Sequence, residues 1–152
     1  MQKCTLALGC FWKPEEKFQN KPGIIKTEVG YAGGEKSSVT YEEVCEGNTG
    51  HAEVVRLSFD ESVISYEKIL DLFFKMHDPT QKDMQYPDIG TQYRSEIFYE
   101  TEEQKIAAVK FKDNLNNNYN DKIETNISKI NNYCKAEEYH QKYIKKNRGW
   151  KL

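Results

Sequence analysis

The stretch Lys3-Cys4-Thr5-Leu6-Ala7-Leu8-Gly9-Cys10-Phe11-Trp12-Lys13-Pro14-Glu15-Glu16-Lys17-Phe18 obeys two different rules of local structure in turn. Lys3 to Leu8 carries the apolar run Leu6-Ala7-Leu8 and reads as a short buried strand that stops at Gly9. Pro14 is tolerated only in the first turn of a helix, and Glu15 and Glu16 suit the positive end of one. Gly9 and Cys10 therefore stand at the corner where a strand hands over to a helix.

Outward from this corner the same rules alternate. Ile24 to Ala32 is β-branched and reads as a second strand, broken by Gly33-Gly34. Residues 35–50 read as an irregular loop carrying Gly47 and Gly50. Ala52 to Phe59 reads as a strand. Ser65 caps a helix whose Ile69, Leu72, Phe73 and Met76 recur at helical spacing until His77-Asp78-Pro79 ends it. Residues 79–91, with Pro79, Pro87 and Gly90, read as a non-repetitive loop, and Gln92 to Tyr99 as a strand. Thr101-Glu102-Glu103-Gln104 is a capping box that opens a helix to about Tyr119. Thr125 to Ile130 reads as a short strand and Ala136 to about Lys146 as a last helix; residues 147–152 show no pattern and no cysteine. This order predicts an α+β fold of the split βαβ (ferredoxin-like) kind: an antiparallel or mixed sheet with helices packed on it, extended by irregular loops and a coil-rich C-terminus. With no repeat or linker, residues 1–152 are expected to form a single domain.

Composition narrows the function classes. Lys and Arg number 22 against 24 Asp and Glu, a net charge of -2, so no basic excess argues for a nucleic-acid or anionic-membrane partner. Apolar runs are only a few residues long and the start lacks a signal-peptide pattern, so a cytoplasmic protein is expected. The cysteines at 4, 10, 45 and 134 form no Cys-x-x-Cys and the histidines at 51, 77 and 140 show no ligand spacing, so neither a metal nor another bound cofactor is predicted. The ordinary role of a cysteine, a small buried hydrophobe, would suit most of the four.

Cys10 is the exception. A thiol at a helix start meets free backbone N–H groups and the positive end of the helix dipole, which favour the thiolate. Phe11 and Trp12 cannot both face one core stripe, so at least one is free to line a pocket beside it. Glu53 opens an otherwise apolar strand; pointing inward it would be biased towards its protonated form and suited to general-acid work. Tyr41 lies in a loop, Asp88 in another, and Tyr93 at a strand start.

Separately these signals are weak. In order, however, Gly9-Cys10-Phe11-Trp12, Gly30-Tyr31-Ala32-Gly33-Gly34, Tyr41-Glu42-Glu43-Val44-Cys45, Thr49-Gly50-His51-Ala52-Glu53, Phe73-Phe74 with His77-Asp78-Pro79-Thr80, Asp88-Ile89-Gly90-Thr91-Gln92-Tyr93-Arg94-Ser95 and Ala136-Glu137-Glu138-Tyr139-His140-Gln141 resemble the type A methionine sulfoxide reductases from about residue 5 to 144. The resemblance implies thiol-dependent reduction of the S epimer of methionine sulfoxide, free or in peptides, to methionine through a cysteine sulfenic acid, and hence repair of oxidised proteins. It implies Cys10 as nucleophile, Glu53 as proton donor, Tyr41 and Tyr93 as hydroxyl donors to the sulfoxide oxygen, Phe11 and Trp12 as an apolar cradle for the S-methyl group, and Asp88 as a supporting polar group. An external thiol reductant, thioredoxin or a glutathione–glutaredoxin system, would complete the cycle.

Two departures stand out. Lys13 follows Trp12 where the family has a small residue. The tail lacks the resolving cysteines that many members carry, which leaves an external thiol, Cys134 or Cys45 as the resolver. Two other readings compete: a cysteine hydrolase or acyl transferase built on Cys10, His51 and Glu53, and a domain that binds oxidised methionine without turnover.

Overall fold

The computed structural model describes residues 2–147, so the C-terminal stretch 148–152, and with it most of the tail read above as lacking structure, lies outside the described residues. Strand β1 (Gln2–Leu8) leads through the Gly9-Cys10 corner into helix α1 (Trp12–Gln19), then β2 (Ile24–Ala32), α2 (Tyr41–Cys45), β3 (Ala52–Phe59) and α3 (Tyr66–Met76). A short ribbon of β4 (Met84–Gln85) and β5 (Asp88–Ile89) precedes β6 (Ser95–Tyr99), α4 (Glu102–Asn116), β7 (Asn126–Lys129), β8 (Cys134–Lys135) and α5 (Tyr143–Asn147). The fold is mixed α+β. Its main sheet has the order β7-β6-β1-β3-β2-β8, antiparallel throughout except for the parallel β6–β7 pair.

Strand β3 is central, and all but one of its residues are buried because both faces are covered. On one face Leu6, Leu57, Phe59 and Ile97 meet α3 through Ile69, Leu70, Phe73 and Phe74. The other carries a smaller cluster of Ala7, Ala32, Ala52, Val54 and Phe98. At about 25 cal/mol per Å² of apolar area, burial on this scale is the main force holding the sheet. Among the described residues no helix is long and apolar enough to cross a membrane.

Several boundaries differ from the sequence reading. The expected loop 35–50 contains α2, opened by a capping box in which Thr40 Oγ1 accepts from the Glu43 amide and the Glu43 carboxylate accepts from Thr40 N–H. Residues 79–91 contain the β4–β5 ribbon, pinned where the Gln85 side chain exchanges hydrogen bonds with the Asp78 backbone at 3.1 and 2.6 Å. The strand expected from Gln92 starts only at Ser95, because Thr91–Tyr93 forms a 3-10 turn. Helix α4 ends at Asn116, short of Tyr119. The helix expected over 136–146 follows β8 and is two pieces, a 3-10 turn Glu138–His140 and α5. Lys142, at φ +52°, interrupts the helical path between the two.

Candidate active site

Cys10 is half-buried at the end of β1. Gly9 turns the chain there at φ +94°, a region that disfavours any residue with a Cβ, and the Gln85 side chain packs against its open face. Helix α1 is held in place by a buried carboxylate: Glu15 accepts from the Thr27 hydroxyl at 2.9 Å and from the Lys142 amide at 2.6 Å. Burial pushes the Cys10 thiol up to about 11; the Trp12 amide opposes this, the Glu53 and Asp88 charges add to it and Lys13 offsets part of it. The Trp12 amide acts in the direction expected of a helix start, but burial prevails. In the resting site, desolvation with the Asp88 charge outweighs that one backbone donor.

Glu53 is 1% exposed and sits opposite Tyr31 in the β2–β3 pair. The Phe11 amide donates to its Oε1 at 3.2 Å, which brings the carboxyl next to the Cys10 corner across 42 residues of sequence. Burial pushes Glu53 up to about 8, the Phe11 amide opposes that, and the Asp88 charge adds to it. A protonated acid thus faces a protonated thiol at neutral pH.

Phe11 and Trp12 diverge, as neighbours on a helical turn must. Phe11 is buried, its ring 5.7 Å from Tyr31 and 5.2 Å from His140. Trp12 is half-buried, stacks on Tyr143 at 3.9 Å, and donates its indole N–H to His140 Nδ1 at 3.1 Å. Tyr41 opens α2 with its ring 4.3 Å from His140 and its amide bonded to Glu137 at 2.8 Å. Tyr93 is on the 3-10 turn, not at a strand start. Burial raises both tyrosine hydroxyls, and the Glu53 charge acts on each. Asp88, on the ribbon, lines with Cys10 and Trp12 a cleft of about 360 Å³.

The remaining cysteines separate. Cys4 alone is fully buried, so the idea that most of the four are core hydrophobes fails. Cys45 is exposed beside the Tyr41 hydroxyl, and burial still raises its thiol despite that hydrogen bond. Cys134 lies opposite Tyr31 on the edge strand β8, its sulfur 3.7 Å from the Val39 carbonyl. His51 does not join a hydrolase triad: its Nε2 faces the Asn132 carbonyl at 3.2 Å, its ring fills the space over Gly34, and Glu53 is engaged by Phe11 instead.

Four residues given no role from sequence support the site. Glu137 accepts from the Tyr31 hydroxyl and the Tyr41 amide, both at 2.8 Å. The buried His140, held neutral by burial against the pull of Glu137, orients Trp12. Gln141 docks this segment, its side-chain amide exchanging two 2.9 Å bonds with the Val29 backbone. His77 bridges the Phe73 carbonyl and the Ser95 hydroxyl at 2.7 Å each, and burial pushes it down to about 4. Three of them lie in the run Ala136–Gln141 and the fourth in His77-Asp78-Pro79-Thr80, and neither spacing reports the contacts these residues make elsewhere in the chain.

The family described as Peptide methionine sulfoxide reductase matches residues 2–151. The chain is 55% identical over 146 residues to the peptide methionine sulfoxide reductase MsrA of Pelagibacter ubique, covering 96% of this chain and 99% of that one. Reduced Mxr1 from Saccharomyces cerevisiae superposes with a TM-score of 0.92 at 42% identity, covering 97% of this chain and 86% of its own. Mxr1 in complex with Trx2 aligns with a TM-score of 0.65 at 29% identity, covering 93% and 84%.

Proposed function

Since the chain belongs to the peptide methionine sulfoxide reductase family, we propose how its own residues divide the work. The protein is a reductase of methionine sulfoxide that serves protein repair. The observation that carries the assignment of roles is the buried Glu53, kept protonated by desolvation and tied through the Phe11 amide to the corner that holds the thiol.

In the proposed sequence the S-sulfoxide, free or peptide-bound, sits with its methyl group between Phe11 and Trp12 and its oxygen towards Glu53, Tyr41 and Tyr93. Cys10 attacks as its thiolate. Glu53 protonates the oxygen while the two hydroxyls take up developing negative charge, as donors in an oxyanion hole do. Asp88 sets the charge balance of both Cys10 and Glu53. The oxygen ends on Cys10 as a sulfenic acid and methionine leaves: sulfur in the substrate gains two electrons and Cys10 loses two. A second thiol then condenses with the sulfenic acid to a disulfide, releasing water.

We assign that second thiol to an external reductant, thioredoxin or a glutathione–glutaredoxin system. Strand β1, which leads to Cys10, and β8, which holds Cys134, are separated by β3 and β2. Three inter-strand steps amount to roughly 14 Å, well beyond the Cα spacing a disulfide tolerates. Cys134 and the exposed Cys45 remain internal alternatives that require movement. A yeast relative solved with Trx2 supports the thioredoxin arm. Four free thiols suit a reducing, cytoplasmic setting. The finer fold reading rests on β6-β1-β3-β2, in which β1 and β2 run parallel with β3 between them, as in a split βαβ sheet; we read the whole chain as one catalytic domain on it.

Single-turnover oxygen transfer tests the roles. Glu53→Gln retains a donor but no acidic proton and should slow sulfenic acid formation by about 10²-fold; a rate equal to the parent's would refute the acid role.

A further inference from the structure

We propose that the cleft on the far side of Cys10 is a subsite for the polypeptide flanking the oxidised methionine, and that Lys13 and Lys17 tune it for an acidic neighbour. The inference rests on the reductase reading above.

The cleft reaches the thiol, yet Glu53, Tyr41 and Tyr93 do not line it. A sulfoxide turned towards those three groups would leave the rest of its chain on the cleft side. One wall is helix α1, contributing Lys13 and Lys17 one turn apart, about 6 Å along the axis. Both are exposed, and neither has a carboxylate at ion-pair distance among the described residues. The opposite wall is the β4–β5 ribbon, presenting Tyr86 and Pro87. Tyr86 is 77% exposed, so its ring stands in water on a wall of the cleft that reaches the reacting sulfur.

This wall is braced. Tyr86 N–H donates to Gln81 Oε1 at 2.7 Å, and the next residue inward, Gln85, is fixed to Asp78 and packed on Gly9. Asp88 is the cleft's own carboxylate and acts on Cys10, so it lies at the thiol end; Lys17 is a full turn further out. An extended segment entering between the walls would set apolar atoms against Tyr86 and Pro87 and direct a flanking side chain at two unpaired ammonium groups. A carboxylate is the complement of that charge, and a lysine in the same place is repelled. The lysine at position 13 thereby acquires a use that the bare spacing did not suggest.

The test compares kcat/KM for blocked three-residue peptides with methionine sulfoxide in the centre and Asp, Ala or Lys on both sides, with N-acetyl methionine sulfoxide amide as the flank-free reference. The parent protein should prefer Asp over Lys flanks by about tenfold at low salt, and the ratio should shrink towards one near 0.5 M salt, where screening is roughly 4 Å deep. K13E/K17E should invert the order. The ratio cancels any effect of Lys13 on the thiol, and K17E alone, remote from Cys10, should already narrow it. Y86S should reduce kcat/KM for all peptides relative to the reference. Equal turnover of Asp- and Lys-flanked peptides by the parent, or a preference untouched by K13E/K17E, would overturn the subsite. Failure to reduce the reference compound would instead bring down the reductase reading itself.

Discussion

Trp12 and His140 are joined by a hydrogen bond of 3.1 Å from the indole N–H to Nδ1, so the half-buried wall of the site is aimed by a residue 128 positions away. His140→Leu keeps much of the bulk and removes the acceptor. Losing one neutral hydrogen bond costs about 1 kcal/mol, so kcat/KM should fall by roughly five- to tenfold. Steady-state kinetics beside a thermal melt checks this: a loss confined to the melting temperature would return His140 to a purely structural role.

Trp12→Ala removes the wall itself. Catalysis should drop well beyond any change in unfolding midpoint, because the methyl group would then face water. Activity per folded molecule is the quantity to compare. A destabilised variant with undiminished kcat/KM would make Trp12 a packing residue.

The pH profile follows from two groups in unusual order. The reactive form carries a proton on Glu53 and none on Cys10. It is one arrangement of the singly deprotonated pair, which prevails between the two apparent values, about 8 and about 11. kcat/KM should therefore rise about tenfold per pH unit below 8 and level off above it. In Glu53→Gln the break near 8 should vanish, leaving only the thiol's ionisation. A parent profile flat from pH 6 to 8 would contradict this pairing.

Stability should run the other way. A carboxyl whose folded value is raised to about 8 binds its proton more tightly folded than unfolded. It therefore costs nothing below the unfolded value, destabilises increasingly as pH rises towards 8, and adds no more beyond. Glu53→Gln should melt higher than the parent at pH 8, with the gap closing towards pH 4.5, the ordinary carboxyl value. Melting curves at the two ends decide it; equal gaps at both would argue against a buried protonated acid.

One equivalent of methionine sulfoxide without reductant should leave Cys10 as a persistent sulfenic acid, trapped by dimedone, with three of the four thiols still free. Intact mass and a thiol count read this directly. Rapid loss of two thiols with a Cys10–Cys134 bond would assign resolution to the chain itself, and Cys10→Ser should abolish both outcomes.

What sequence could reveal here tracks the range of each interaction. Ile24–Ala32 and Ala52–Phe59 were readable to the residue because β-branching and apolar alternation are local. Helix starts at Ser65 and Thr101 are equally local, and so is the capping-box pattern of Thr40 with Glu43. The corner at Cys10 was visible for the same reason. The thiol's resting state was not, since it depends on carboxylates that only folding brings near. Tyr93 reads as a strand start because a short turn next to a strand copies its alternation. The stretch from Ala136 to about Lys146 reads as a helix, but its geometry is dictated by Val29 and by the left-handed Lys142, neither of which leaves a periodic trace.

The Gln141 amide has one further consequence. Its oxygen accepts from the Val29 N–H and its NH2 joins the Ala136 amide on the Val29 C=O, so it carries the pairing of β8 further along the edge of β2. Glu137 and His140, which aim Tyr41 and Trp12, lie on the segment held between β8 and this contact. Gln141→Glu, isosteric but without donors, would thus act less like a point mutation than like a partial truncation. Chemistry at Cys10 would keep every reacting group and lose the scaffold that presents the substrate to them.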